Sequence, residues 1–252
     1  MENGADPSDQ LMTPNERKTS DDALSFARSN KKSIAKRLTD KSIYLPEEAP
    51  VSVYMAGSPG AGKTEASIAL VNLFADSKIL RIDPDELRGE FAAYTGGNSW
   101  LFQRGVSILV EKIVDLAMEQ RQSFLLDGTF SNIEVARRNV ERSLRKGRFV
   151  QILYVYQDPM LAWGFVKARE AAEGRKIRKE HFIEQYFAAR DVVNALKLEY
   201  GSDIHVDLLL KHIDNSGRLY KAGVEKIDYN IPERHSRADL KARLELPPSG
   251  AQ

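Results

Sequence analysis

Over its 252 residues the chain sets 37 Lys and Arg against 36 Asp and Glu, a net charge of +1, so it carries no global basic field to hold nucleic acid and at most a local basic face. It contains no cysteine, which excludes disulfides, thiolate catalysis and zinc–cysteine sites. No segment reaches the roughly 18 apolar residues that span a bilayer, and the polar, acidic start MENGADPSDQLMTPNERK is unlike a signal peptide, so the expectation is a cytoplasmic protein built on one α/β domain with short appendages.

Residues 1–18 are polar and read as a disordered tail. A helix is expected over about 20–39, with Thr19 and Asp22 as a capping box and Leu24, Ala27, Ile34 and Leu38 on one face. The stretch LPEEAP at 45–50 reads as a linker, so 1–49 is taken as an N-terminal segment and 50–230 as the main domain. There a buried strand at 51–56 precedes a helix at 62–75 and a second strand at 78–82. A long helix at 99–120 carries Phe102, Val106, Leu109, Ile113 and Leu116 at helical spacing and leads to a third strand at 123–126. A helix at 132–145, a strand at 149–156, helices at 159–173 and 179–200 and a strand at 204–210 follow. The polar, proline-containing stretch 231–252 is expected to be a flexible tail. Short apolar strands alternating with helices predict a parallel sheet covered by helices on both faces.

One segment carries explicit chemistry. Gly57-Ser58-Pro59-Gly60-Ala61-Gly62-Lys63-Thr64 fits G-x-x-x-x-G-K-[ST], between an apolar strand and an amphipathic helix. The glycines let the backbone bend so that successive N–H groups point at phosphate oxygens, and the helix N-terminus adds partial positive charge. Lys63 would reach the β- and γ-phosphates and Thr64 would place its hydroxyl on Mg²⁺, with Glu65 beside them at the start of the helix. The expected class is therefore an α/β P-loop NTPase with a nucleoside-kinase-like sheet, using ATP and Mg²⁺.

Phosphoryl transfer also needs a metal-side carboxylate, a base for the acceptor and cations for the transition-state charge. Asp127 ends the third strand, where a carboxylate would face the P-loop magnesium; its plainer role is to cap the following turn. Asp83 and Asp85 follow the second strand, at the sheet edge where ligands bind in open α/β folds, although Asp85 equally suits a helix N-cap. Lys167, Arg169 and the run Gly174-Arg175-Lys176-Ile177-Arg178-Lys179 supply cations suited to phosphate, or else a solvated helix face. The basic run at 137–148 reads as a solvated face, and the four histidines show no metal spacing.

With these residues assembled, the chain resembles the zeta-toxin family of bacterial P-loop kinases over roughly 50–215. The matching pieces are 57–64, the I-D-x-D stretch at 82–85, Glu111, Asp127-Gly128-Thr129, and the arginines Arg169 and Arg175. The resemblance implies a kinase that phosphorylates UDP-N-acetylglucosamine as the toxin of a toxin–antitoxin system. It implies that Asp85 is the general base, that Glu111 and Thr129 contact the sugar nucleotide, and that Arg169 and Arg175 clamp the phosphates. Asp127 departs from the family's Glu before Gly-Thr, and Arg178 stands where a proline is expected. Related kinases take other acceptors, among them NAD, other UDP-sugars and antibiotics. A nucleic-acid 5′ end and a non-enzymatic nucleotide switch are the remaining alternatives. In the family a separate antitoxin presses a helix on the ATP site. The N-terminal helix, with Lys31, Lys32, Lys36 and Arg37, is therefore a candidate for inhibition in cis, its simpler role being to pack on the sheet edge.

Overall fold

The computed structural model of the chain describes residues 12–74, 78–174, 177–211, 218–232 and 235–245. Strand β1 (Val51–Ala56) sends Tyr54 and Ala56 into one apolar cluster and Val53 and Met55 into another. A strand buried on both faces belongs inside a parallel sheet, and β1 lies between β3 (Phe124–Leu126) and β4 (Phe149–Tyr156), parallel to both. With β2 (Leu80–Ile82), β5 (His205–Lys211) and β6 (Arg218–Lys221) the order is β2-β3-β1-β4-β5-β6. Only β6 runs antiparallel, against β5.

The helices are α1 (Pro14–Leu38), α2 (Lys63–Leu73), α3 (Gln103–Glu119), α4 (Ile133–Arg145), α5 (Pro159–Glu173), α6 (Lys179–Tyr200) and α7 (Arg237–Glu245). The larger core gathers Phe102, Leu109, Ile113, Phe182 and Leu196 against Tyr54, Phe124 and Ile152. The smaller core holds Val53, Met55 and Leu153, and Ala66, Leu70 and Val71 of α2 cover it. The expected architecture, a parallel sheet with helices on both faces, holds. Among the described residues no helix is long and apolar enough to cross a membrane.

Several boundaries differ from the sequence reading. α1 begins six residues before the expected start, because Thr13 and not Thr19 is its N-cap. Thr13 accepts from the Glu16 amide at 3.3 Å and the Glu16 carboxylate accepts from the Thr13 amide at 2.8 Å, a complete capping box with Pro14 at the first helical position. Thr19 instead donates its hydroxyl to the Asn15 carbonyl within the helix. The tail expected at 1–18 is thus helical from Pro14. The second strand is only Leu80–Ile82. The helix expected at 99–120 divides into a 3₁₀ turn, Ser99–Phe102, and α3. β6 was not expected, since its alternation is too short to stand out. The flexible tail expected from 231 is corrected over Arg237–Glu245, where α7 buries Leu240 and Leu244 in the core.

α1 is no loose appendage. Ala23, Ala27, Ile34 and Ala35 are buried against the core, and Phe26 meets Phe91 edge-on at 5.4 Å. Its backbone comes so close to α3 that a Cβ on Gly105 would lie 3.1 Å from the Ala23 carbonyl. Arg148 is buried, and no ion pair with a carboxylate holds it among the described residues. It donates to the carbonyls of Val51 and Gln122 and to the Ser52 hydroxyl, and its plane lies 4.9 Å from the Phe124 ring centroid. Burial pulls its pKa down to about 10.

Candidate functional site

Because β1 to β5 are parallel, their carboxyl ends share one edge. Chain connections run one way from β1 through β2 and β3 and the other way through β4 and β5, so the topological switch falls at β1. The loop 57–64 leaves β1 at that point and turns directly into α2. Gly57, Gly60 and Gly62 have φ of +133°, +73° and +79°, a backbone that L side chains resist. A Cβ on Gly60 would also lie 2.1 Å from the Ala162 carbonyl, so α5 supports the loop from above. Lys63 Nζ donates to the carbonyls of Gly57 at 3.0 Å and Ser58 at 2.7 Å, curled over the loop that it would open to phosphate.

The carboxylates of β2 and β3 converge on one arginine that the sequence reading did not single out. Arg81 Nη2 donates to Asp127 Oδ2 at 2.9 Å and also to Asp83, its Nη1 donates to Glu86 at 2.6 Å, and its Nε donates to the Ser67 hydroxyl at 2.9 Å. Ser67 lies one turn along α2 from Thr64 and bonds both the Thr64 carbonyl and Asp127 Oδ2, each at 2.8 Å. Asp127 is thus tied to the phosphate-loop helix, and Thr64, Asp127 and Asp83 are hard oxygen donors suited to Mg²⁺. Among the described residues no group of three or more His, Asp or Glu is assembled to hold an ion by itself. Burial pushes the Asp83 carboxyl above the usual range, opposed by the Asp85 amide and reinforced by the charges of Asp127 and Asp85.

Asp85 precedes a 3₁₀ turn, Glu86–Glu90, but makes no side-chain cap. Its own amide bonds Asp83 at 2.8 Å, and its carboxylate pairs with Arg88. Arg88 is buried and also donates to Gln103 at 3.1 Å, so Asp85 is aimed from behind while its side chain stays 38% exposed. Arg88 was also missed; its signal is weak, an arginine three residues after the acid on a short turn.

Thr129 follows β3, and its carbonyl accepts the Gly57 amide at 3.2 Å, which puts it beside the phosphate loop. Its hydroxyl bonds Ser131 at 3.0 Å. Between them Phe130 has φ of +57°, strained for an aromatic residue, and stacks on Tyr54 at 5.5 Å. Glu111 is on the outer face of α3, 3.5 Å from Arg138 of α4, so its contact is with a neighbouring helix. Arg169 is exposed on α5, with Glu173 at 3.9 Å. The end of α5 meets the loop that carries Gly96: a Cβ on Gly96 would be 2.6 Å from the Glu173 carbonyl. Arg175 lies outside the described residues. The structure therefore gathers 57–65, Asp83, Asp127 and Thr129 at one edge, follows them with Asp85, and sets Glu111 and Arg169 on exposed helix faces.

A glycine-lined phosphate loop at the switch point of this sheet, with acidic strand ends beside it, defines a P-loop protein of the nucleoside-kinase-like fold. The chain belongs to the Zeta toxin family, whose model matches residues 34–225. The match starts within α1, earlier than the expected limit near 50. A chain from the PezAT chromosomal toxin–antitoxin system of Streptococcus pneumoniae shares the fold at a TM-score of 0.57 and 18% identity, over 93% of this chain and 94% of that one. A chain of the AvrRxo1-ORF1:AvrRxo1-ORF2 structure with sulphate ions gives 0.58 and 16%, over 90% and 77%. A chain of the corresponding structure with ATP gives 0.55 and 17%, over 95% and 76%. No curated protein sequence matches the chain.

Proposed function

We propose that this chain is an ATP-dependent phosphotransferase acting on a hydroxyl of a sugar nucleotide, UDP-N-acetylglucosamine in the first instance, as the toxin of a toxin–antitoxin pair. The observation that carries the reading is Asp85, held by a buried arginine and half open to solvent at the sheet edge that also bears the phosphate loop. Family membership and the ATP-containing relative support ATP as the donor. Lys63 would leave its loop carbonyls for the β- and γ-phosphates, and Thr64 and Asp127 would hold Mg²⁺, which when bound would supply positive charge to the phosphoryl oxygens. Asp85 takes the acceptor proton; a loose transition state deprotonates the hydroxyl late, so an ordinary carboxylate suffices. Arg169 and Arg175 close on the phosphates, and Thr129 and Glu111 contact the acceptor, Glu111 by giving up Arg138.

The inhibitor is a separate antitoxin and not α1. Helix α1 is seated by one face on the core, and Arg37 is paired with Glu90 through two hydrogen bonds at 2.7 Å. The toxin–antitoxin setting of the relatives agrees with this.

The test is transfer from labelled ATP with Mg²⁺ to UDP-N-acetylglucosamine by the full chain. Lys63→Ala should abolish the product. Asp85→Asn should retain ATP binding and lose a factor of about 10²–10⁴ in rate. ATP binding without this product would move the acceptor to NAD, another UDP-sugar, an antibiotic or a nucleic-acid 5′ end. Unchanged turnover in Asp85→Asn would remove Asp85 as the base.

A further inference from the structure

Strand β5 ends on Lys211, and the residue directly across the β5–β6 ladder is Arg218. Like charges set opposite one another weaken an antiparallel pair. The Lys211 side chain runs back over the phosphate loop, where a Cβ built on Gly62 would lie 1.7 Å from its Nζ and 3.1 Å from Glu65 Oε2. Gly62 is required by its positive φ, and the ammonium occupies the space directly over it.

The ammonium is poorly placed in the empty site. It sits at the N-terminus of α2, where the helix end is already positive, beside a loop that also carries Lys63. It is half-buried, and among the described residues no hydrogen bond or ion pair holds it. Burial lowers its pKa and Arg218 lowers it further, with Glu65 the opposing influence. A cation kept here against three repulsions fits an anion that arrives from outside. Strand order adds a direction: Asp127 reaches the helix that follows the loop from β3 on one side of β1, and Lys211 reaches the loop from β5 on the other.

We propose that Lys211 is a further polyphosphate-binding residue of the nucleotide site, closing the loop over Gly62 from the β5 side. Arg218 stands behind it as an outer cation. The inference rests on the reading of 57–64 as a nucleotide site, and its test separates the two.

Equilibrium binding of ATP and of inorganic tripolyphosphate is measured on the full chain and on Lys211→Met, Lys211→Arg and Lys63→Ala. Lys211→Met should weaken both ligands by about tenfold, the usual size for a lost charged hydrogen bond, and Lys211→Arg should stay within about threefold of the parent. The ligand-free melting temperature of Lys211→Met should equal or exceed that of the parent, since burial and Arg218 outweigh the attraction of Glu65 and no described residue holds the ammonium in a hydrogen bond or ion pair. Tripolyphosphate binding unchanged in Lys211→Met but lost in Lys63→Ala would overturn the assignment while leaving the nucleotide site intact. Weaker ATP with unchanged tripolyphosphate would also overturn it, placing Lys211 on the ribose or base. A parent chain that binds neither ligand would overturn both readings together.

Discussion

Arg81 holds two strand-terminal carboxylates and a helix hydroxyl at once, and its own charge is sustained by them. Burial works against the guanidinium, but hydrogen bonds to Glu86 and Asp127 and the charge of Asp83 raise its pKa above the ordinary value. Replacing it by Met would leave Asp83 and Asp127 buried without a counter-charge, a change that costs about 3–5 kcal/mol. Chemical denaturation of Arg81→Met should show that loss; a value below about 1 kcal/mol would mean the cluster is open to water. Asp83 is paired with Arg81, yet burial and the charges of Asp127 and Asp85 outweigh that pair, so its pH dependence runs opposite to that of most salt-bridged acids. Its folded pKa lies above the unfolded one, so its ionisation costs nothing at low pH and opposes folding as pH rises through the carboxylate range. Denaturation of Asp83→Asn beside the parent, both free of metal, should show the variant gaining relative stability between pH 4 and pH 7. A difference that stays constant would show that Arg81 fully compensates the charge.

At the scale of elements, the seat of α1 on α3 is set by one missing side chain. Helix propensity alone would favour Gly105→Ala by about 1 kcal/mol. The new Cβ would instead meet the Phe91 ring at 2.9 Å and the Ala23 carbonyl at 3.1 Å, and backbone yields poorly. Gly105→Ala should therefore destabilise the chain, by about 1–3 kcal/mol; a gain in stability would mean that α1 is not seated as described. α7 is judged in the same way. Leu240 is fully buried, so Leu240→Ala should cost about 2–5 kcal/mol, and a cost near zero would return the C-terminal segment to a loose tail.

At the scale of the whole molecule, a ligand bound only by the folded chain stabilises it by mass action. ATP at about 100 times its Kd should add about 2.7 kcal/mol. Thermal melts with and without ATP would show this shift in the parent and none in Lys63→Ala. A shift of equal size in both would place ATP away from the phosphate loop.

Much of this molecule is local physics and is legible in one sequence. The motif 57–64 depends on positive φ, N–H direction and a helix start, all decided within eight residues, and it marks the phosphate loop. The apolar runs of β1 and β4 predicted buried parallel strands because both faces of such strands must be covered. What required the folded chain was every partnership across the sheet. Arg81 with Asp127 and Lys211 over Gly62 join residues 46 and 149 positions apart, and even the local pair of Arg88 with Asp85 owes its character to burial; spacing alone does not distinguish any of them from solvated charges. The apolar face of α1 was legible, but its seat on α3, like the burial of α7, was not: both helices are weakly apolar by composition and become core only because α3 and α6 leave surfaces of matching shape. Sequence by itself determined the phosphate loop and the class of sheet, since those are short-range necessities; the setting of the acids and cations around it was decided by tertiary structure, because a buried charge is defined by which chain segment comes to meet it.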